Sequence, residues 1–384
     1  MTLEFEPTRG FGVYVHWPWC AKICPYCDFN VYAAKSHDPE PMIDGIIADI
    51  AGWRSRIGPR RVDSVFFGGG TPSLAPPKGV ERVLNALEQA WGLASDAEIS
   101  LEANPDDWEG FADFVAAGVN RLSLGVQSMS DASLEFLGRN HDAATARRAI
   151  DGAKRSDAAL SLDFIYALPG QAAEDWAREL TEALHFGADH LSLYELTIAE
   201  GTAFHKAVAR GNWSPMEEDG AADLYEITQD LTAAAGMPAY EISNHARDPA
   251  FRARHNLIYW RSGDWLGLGP GAHGRLTYDE RRMATEAARR PQTYIDQVSR
   301  TGVGSEYEDP LSLLQTAEER LIMGLRIADG VHDRDVESLG AKLNAQARAS
   351  FVSEGYLVDD PDRLALTARG RLLADHIAAQ LLSD

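Results

Sequence analysis

Short runs of consecutive apolar residues alternate along this chain with longer stretches in which apolar residues recur every three or four positions. Between residue 11 and about 235 the runs fall at 12–17, 62–67, 98–103, 121–126, 161–166 and 190–196. Val, Ile, Leu and Phe on successive positions suit strands buried on both faces. Helical spacing fills the intervals at 39–56, 78–91, 108–117, 143–154 and 173–186, with a further helix near 216–235. Strand followed by helix, repeated, predicts βα units around a parallel sheet. Six units fall short of the eight that close a full barrel. The expected class is therefore α/β, a curved and partly open (β/α)6 barrel over 1–235.

The pattern changes beyond 235. Residues 239–244 read as a strand with a polar edge, and the glycines of 264–273 as a loop packed against the barrel mouth. The polar, partly arginine-rich stretch 274–310 reads as a connector, so that 236–310 covers the barrel and links it to a second unit. From 311 to 384 the spacing predicts a helix at 318–327, a turn at Asp329-Gly330, a short helix near 333–339 and a helix at 342–354. A β-hairpin over 356–366 and a last amphipathic helix over 368–382 complete a winged-helix-like α+β domain. Such domains often bind DNA, but 15 acidic residues against 8 basic ones from Glu306 onward oppose that role here.

Composition narrows the function classes. Across 384 residues, 45% are hydrophobic and 24% charged, as in an ordinary soluble protein. A formal net charge of −22 disfavours polyanionic partners, so nucleic acid is not expected. The N-terminal MTLEFEPTRG lacks a signal-peptide pattern and no apolar run is long enough to span a bilayer. A cytoplasmic protein, at most in peripheral contact with a membrane, is the expectation.

All 3 cysteines lie within one stretch, Cys20, Cys24 and Cys27, spaced C-x3-C-x2-C. Three thiolates so close can fill three iron corners of a 4Fe–4S cubane, and the fourth iron then awaits an outside ligand, since such clusters normally take four cysteines. Zinc is the rival metal; it would need a fourth donor, for which His16, Asp28 and His37 are available. Unligated or redox-active cysteines are a further alternative.

Parallel α/β architectures bind ligands at the carboxyl ends of their strands, and here those ends carry distinctive residues. The cysteines follow the first run, and Gly68-Gly69-Gly70-Thr71-Pro72 follows the second. Glu102 and Asn104 end the third, Gln127 and Ser128 the fourth. Asp163 lies in the fifth, Tyr194 and Glu195 in the sixth. Glycines admit close backbone approach to a small zwitterion or simply make a tight turn; no G-x-x-x-x-G-K-[ST] phosphate loop follows. Glu102 and Asp163 can accept hydrogen bonds from amino or hydroxyl groups, while Gln127 and Arg139 can hold a carboxylate. Farther on, His255 beside Tyr259 and Trp260 offers an imidazole with aromatic surface, suited to a flat, metal-containing ligand or to a hydrogen-bonded core.

Together these residues resemble the family of oxygen-independent coproporphyrinogen oxidase-like radical S-adenosylmethionine (SAM) proteins over roughly 11–382. The family's dehydrogenase branch carries an extra cysteine two residues beyond the third and a longer N-terminal extension. This chain has Phe29 there, and 19 residues precede Cys20. Its heme-chaperone (HemW-type) branch matches at both places and in the motif H-N-x-x-Y-W, here His255, Asn256, Tyr259 and Trp260.

The resemblance implies that Cys20, Cys24 and Cys27 hold a 4Fe–4S cluster and that SAM chelates the open iron. One-electron cleavage of SAM would yield methionine and a 5′-deoxyadenosyl radical. Tyr14, Tyr26, Gly69, Gly70, Thr71, Glu102, Gln127, Arg139 and Asp163 would lie around SAM, some of them at a second SAM site. His255, Tyr259 and Trp260 would contact heme; no catalytic residue is assigned. The implied function is a heme chaperone with an electron-donor protein and an acceptor such as a cytochrome or respiratory enzyme as partners. Coproporphyrinogen III dehydrogenation is the alternative, and a radical SAM methyltransferase a more distant one.

Overall fold

A computed structural model describes residues 2–34 and 38–382; His37, one of the zinc donors considered above, lies outside them. The six apolar runs are strands: β1 (Phe11–Trp17), β2 (Val62–Gly69), β3 (Leu93–Ala103), β4 (Arg121–Gln127), β5 (Ala159–Tyr166) and β6 (His190–Glu195). They pair in parallel in chain order, each with its successor. The helices between them, Glu40–Ile57, Pro77–Trp91, Ala143–Ala153, Ala173–His185 and Glu218–Ala234 among others, cover the outer face. One apolar core runs beneath them, from Phe11, Val13 and Val15 through Leu101, Leu124, Leu162 and Leu193 to the helix residues Ile46, Leu87, Ile150 and Trp176.

Downstream, the structure departs from the expectations. The strand expected at 239–244 is instead the short β7 (Asn244–Ala246), antiparallel to β6. The stretch expected to be a mouth loop begins with β8 (Asp264–Leu268), parallel to β1 on its free side, with all five residues buried. The expected connector supplies β9 (His273–Tyr278), β10 (Arg281–Ala287) and β11 (Ser305–Leu311), antiparallel in turn. A single sheet of eleven strands results, in the order β11-β10-β9-β8-β1-β2-β3-β4-β5-β6-β7.

Polarity hid this extension from the sequence pattern, and the structure shows how the polarity is accommodated. Buried Asp264 accepts from the guanidinium of Arg60, from Arg282 at 3.2 Å and from the Thr277 hydroxyl at 2.9 Å. Charges paired and hydrogen-bonded to one another can enter a core that excludes isolated ones.

The C-terminal unit has its own core, centred on Leu321, Leu325, Val336, Ile377 and Leu381. Helices Leu313–Leu325, Asp333–Glu337, Ala345–Ser353 and Ala374–Leu382 enclose it, in a winged-helix-like arrangement. The expected hairpin over 356–366 is reduced to a bridge between Leu357 and Leu366; Arg363–Leu364 pairs with Val331–His332 instead. A bridge between Glu241 and Ile327 ties this unit to the barrel.

Candidate functional site

The site is built on a loop held from several sides. After β1 the chain pairs Trp19–Cys20 in parallel with Tyr32–Ala33, framing a compact loop that contains Cys24 and Cys27. The Cys27 amide donates to the Cys24 carbonyl at 3.1 Å and the Phe204 amide to that of Pro25 at 2.9 Å. Behind the loop, Tyr26 rests on an aromatic cluster of Phe136, Phe204 and Trp213. Asn30 reaches across to the added strands, where its amide nitrogen donates to the carbonyls of Pro270 (3.0 Å) and Arg289 (2.7 Å).

The glycine run serves this loop directly. The Gly70 and Thr71 amides donate to the carbonyls of Trp17 and Trp19 at 2.7 and 2.8 Å. A Cβ on Gly70 would stand 2.6 Å from the Trp19 oxygen, so only glycine permits the contact. Gly69 has a φ of +104° and faces the His16 ring. Gly68 is walled off by the rings of Tyr14 and Phe66. The run thus packs the cysteine loop against the sheet, and Gly69 and Gly70 also reach the cavity.

One cavity of about 1500 Å³ opens at the carboxyl ends of the strands, and every residue that the resemblance placed at the cluster, SAM or heme lines it. Cys20, Cys24 and Cys27 are there with Tyr14, Tyr26, Gly69, Gly70, Thr71, Glu102, Gln127, Arg139 and Asp163, and so are His255, Tyr259 and Trp260. Burial pushes the Cys20 thiol up and that of Cys27 to about 11, so metal loading must displace protons from both. Among the described residues no three His, Cys, Asp or Glu side chains converge as ligands of a single ion. Asp28 is exposed and both His16 nitrogens are engaged, so neither completes a zinc site. Three thiols sharing one face of a large cavity fit the spread corners of a cubane better than a mononuclear ion.

The surrounding polar groups are preorganised. Arg139 points Nη1 at Cys24 Sγ (3.4 Å), while Nη2 donates to Asn104 Oδ1 (2.6 Å) and the Gly125 carbonyl (3.1 Å). Gln127 sits at the end of β4 with a φ of +66°, a conformation uncommon outside glycine and often found at ligand sites. The Gly69 amide donates to Glu102 at 3.1 Å; burial, then the nearby Asp163, raises the Glu102 carboxyl to about 8. Asp163 accepts from the Ser123 hydroxyl at 2.9 Å and is likewise raised by burial. His16 lies 2.9 Å from both the Asn30 carbonyl and the Tyr14 hydroxyl. A carbonyl only accepts, so Nε2 carries the proton and Nδ1 accepts from Tyr14.

His255 occupies the cavity's inner wall, in the helix Arg254–Trp260. Its Nδ1 meets the Ser64 hydroxyl and its Nε2 the Tyr259 hydroxyl, each at 2.8 Å, and the ring stacks on Phe66. Burial lowers its pKa to about 3, which keeps the ring neutral. Sequence reasoning did not find Asn30, whose partners are backbone carbonyls over 200 residues away. It also missed Tyr225, Arg326 and Arg371 in the cavity's lining, none of which belongs to a local motif.

A partial α/β barrel with three clustered cysteines at its carboxyl rim defines a radical SAM protein. The Radical SAM superfamily pattern matches residues 14–183 and the HemN C-terminal domain pattern residues 311–373. The Escherichia coli protein named heme chaperone HemW is 38% identical over 97% of this chain and 98% of its own length. The Mycobacterium tuberculosis H37Rv protein of the same name is 35% identical over 98% and 96%. Mouse mitochondrial radical S-adenosyl methionine domain-containing protein 1 is 37% identical over 99% and 88%. The solved E. coli coproporphyrinogen III oxidase (HemN), at 21% identity, covers 98% of this chain and 91% of its own with a TM-score of 0.82, a likeness of fold. The chain belongs to the HemN/HemW-like family of radical SAM proteins, a family that implies a 4Fe–4S cluster and SAM.

Proposed function

We propose that this protein binds heme in the cavity beside the cysteine loop and delivers it to an acceptor protein. The observation that carries this reading is the cavity's size and lining. At about 1500 Å³ it exceeds the roughly 300–1,000 Å³ that a single drug-sized ligand occupies. Its mouth exposes apolar side chains, Phe29 at 58%, Leu372 at 42% and Leu373 at 38% of their surface, as a flat apolar macrocycle would require. Phe29 occupies the position at which the dehydrogenase branch has its extra cysteine. Full-length likeness to proteins named heme chaperones supports the same reading.

In this proposal Cys20, Cys24 and Cys27 hold the cluster on one wall, and Arg139, Gln127, Glu102 and Asp163 position SAM next to it. When bound, the cluster and SAM supply one-electron chemistry at the sulfonium, fed by an electron-donor protein. His255, Tyr259 and Trp260 form the inner wall for heme. Both His255 nitrogens are engaged, so the ring acts there as a neutral anchor for Tyr259, and iron ligation by Nε2 would cost that bond. No helix among the described residues is long and apolar enough to cross a membrane.

The test is an anaerobic titration of the reconstituted protein with hemin. A Soret shift that His255→Ala weakens is expected, with coproporphyrinogen III left unconverted. Turnover of coproporphyrinogen III without specific hemin binding would replace the chaperone with a decarboxylating dehydrogenase.

A further inference from the structure

Where the C-terminal unit meets the cavity, buried donors outnumber their partners, although two acids, Glu241 and Glu195, stand near them. Tyr225 is 4% exposed, lines the cavity, and its hydroxyl has no hydrogen-bond partner among the described residues. Trp260 Nε1 and Arg326 Nε are buried there in the same condition. The Arg326 guanidinium lies 4.9 Å from the Trp260 ring centroid, and the Tyr225 hydroxyl feels the fields of Arg371 and Arg326, opposed by those of Glu241 and Glu195.

Neither arginine pairs with a carboxylate among the described residues, although the chain carries 58 Asp and Glu against 36 Lys and Arg. Of the two acids near Tyr225, Glu241 accepts at Oε1 from the Ser243 amide at 2.9 Å and the Asn244 side chain, and Glu195 accepts at Oε1 from the Tyr166 hydroxyl at 3.1 Å. Indole and guanidinium N–H groups can only donate. Unmet buried donors are costly, and half-buried guanidiniums suit bidentate carboxylates. The corner is also rigidly placed: Arg326 adjoins the Glu241–Ile327 bridge, and the Ala328 amide donates to the Tyr240 carbonyl at 2.9 Å. Exposed Leu372 and Leu373 follow Arg371, so cationic and apolar surfaces adjoin.

We propose that Arg326 and Arg371, with the Tyr225 hydroxyl, form a carboxylate-binding site that takes the acidic side chains of the tetrapyrrole while its apolar ring lies against Leu372, Leu373 and Trp260. This rests on the heme reading above and assigns the orientation of the ligand: carboxylates toward the C-terminal unit, macrocycle toward the cysteine loop.

Hemin and its dimethyl ester differ only in whether the two carboxylates are free, which makes them the probes. Each is titrated into the anaerobically reconstituted full chain. Wild type is expected to bind hemin at least tenfold more tightly than the ester. In R326Q/R371Q hemin affinity should fall to that of the ester, whose own affinity stays unchanged and so reports an intact fold. R326K/R371K should keep most of the preference, and Tyr225→Phe should lose roughly tenfold for hemin alone. R371Q by itself, at a half-buried side chain, carries the same test should the double variant misfold. Hemin binding with an unchanged hemin-to-ester ratio in these variants, or a wild type that does not discriminate, overturns this site while leaving the heme reading intact. Absence of saturable hemin binding by wild type overturns both.

Discussion

The Asn30 side chain, three residues past the last cysteine, donates to the Arg289 carbonyl at 2.7 Å, joining positions 259 apart in the chain. The cysteine loop is thereby tied to the ends of the added strands β8 to β10. The same amide also donates to Pro270, and a Cβ on Gly271 would meet the Asn30 amide at 2.6 Å. Asn30→Ala removes both bonds and leaves two carbonyls without this donor, a loss of about 1–3 kcal/mol. The expected result is faster iron release to a chelator after anaerobic reconstitution, read from the decay of visible absorption. Iron release at the wild-type rate would show that the loop does not depend on this strut.

Gly70 offers a sharper steric test. The Trp17 and Trp19 carbonyls, 2.8 and 2.6 Å from where a Cβ would sit, are backbone and cannot swing aside. Gly70→Ala is expected to lower Tm by several degrees and to reduce cluster iron. Gly110→Ala is the control, since its Cβ would meet only Phe114, at 3.9 Å, and should stay within about 0.5 kcal/mol of wild type. Equal behaviour of the two variants would refute the packing role.

Arg139 bridges Cys24, Asn104 and the Gly125 carbonyl, and in the proposed site its guanidinium would meet the SAM carboxylate. Hydrogen bonds to charged groups contribute about 1.5–3 kcal/mol. Arg139→Ala should therefore weaken SAM binding by roughly ten- to a hundredfold. The SAM-dependent change in the electron paramagnetic resonance spectrum of the reduced cluster measures this, and wild-type affinity would place SAM elsewhere.

Asp49 predicts a pH dependence remote from the site. It is fully buried; Tyr294 donates its hydroxyl to Oδ2 at 2.7 Å and Gly304 its amide to Oδ1 at 2.8 Å. Burial raises its pKa from the usual 3.8 to about 7. The folded state then holds a proton that the unfolded chain has released, so this contribution is complete below pH 3.8 and fades as pH rises through about 7. Asp49→Asn keeps both contacts, with Oδ1 accepting from Gly304 and Nδ2 donating to Tyr294. The variant should gain stability relative to wild type between pH 5 and 8, by a few kcal/mol at most. Parallel Tm profiles for the two proteins would mean that Asp49 does not titrate in this range.

Much of the barrel and its rim was legible because the relevant information is local. Apolar runs such as Val62–Gly69 announce buried parallel strands, and three thiols within eight residues fall on one loop at the rim. The structure adds that Glu102, Gln127, Arg139 and Asp163 share a cavity with them, as the parallel order of β3, β4 and β5 requires. His255 was legible as a residue of interest but not as a neutral ring with both nitrogens engaged, since Ser64 lies 191 positions away.

The chain's covalent order by itself determined the alternation of strands and helices, the cysteine spacing and the glycine run, because each depends on neighbours a few residues apart. Tertiary structure alone decided that 264–311 joins the sheet, that Asn30 anchors the cysteine loop, and that Tyr225, Arg326 and Arg371 face one cavity. The reason is physical: the charges and amides that make those segments look like loops are satisfied by partners far away in the chain. Asp264 with Arg60 and Arg282 is the clearest case, and only the folded chain brings such groups together.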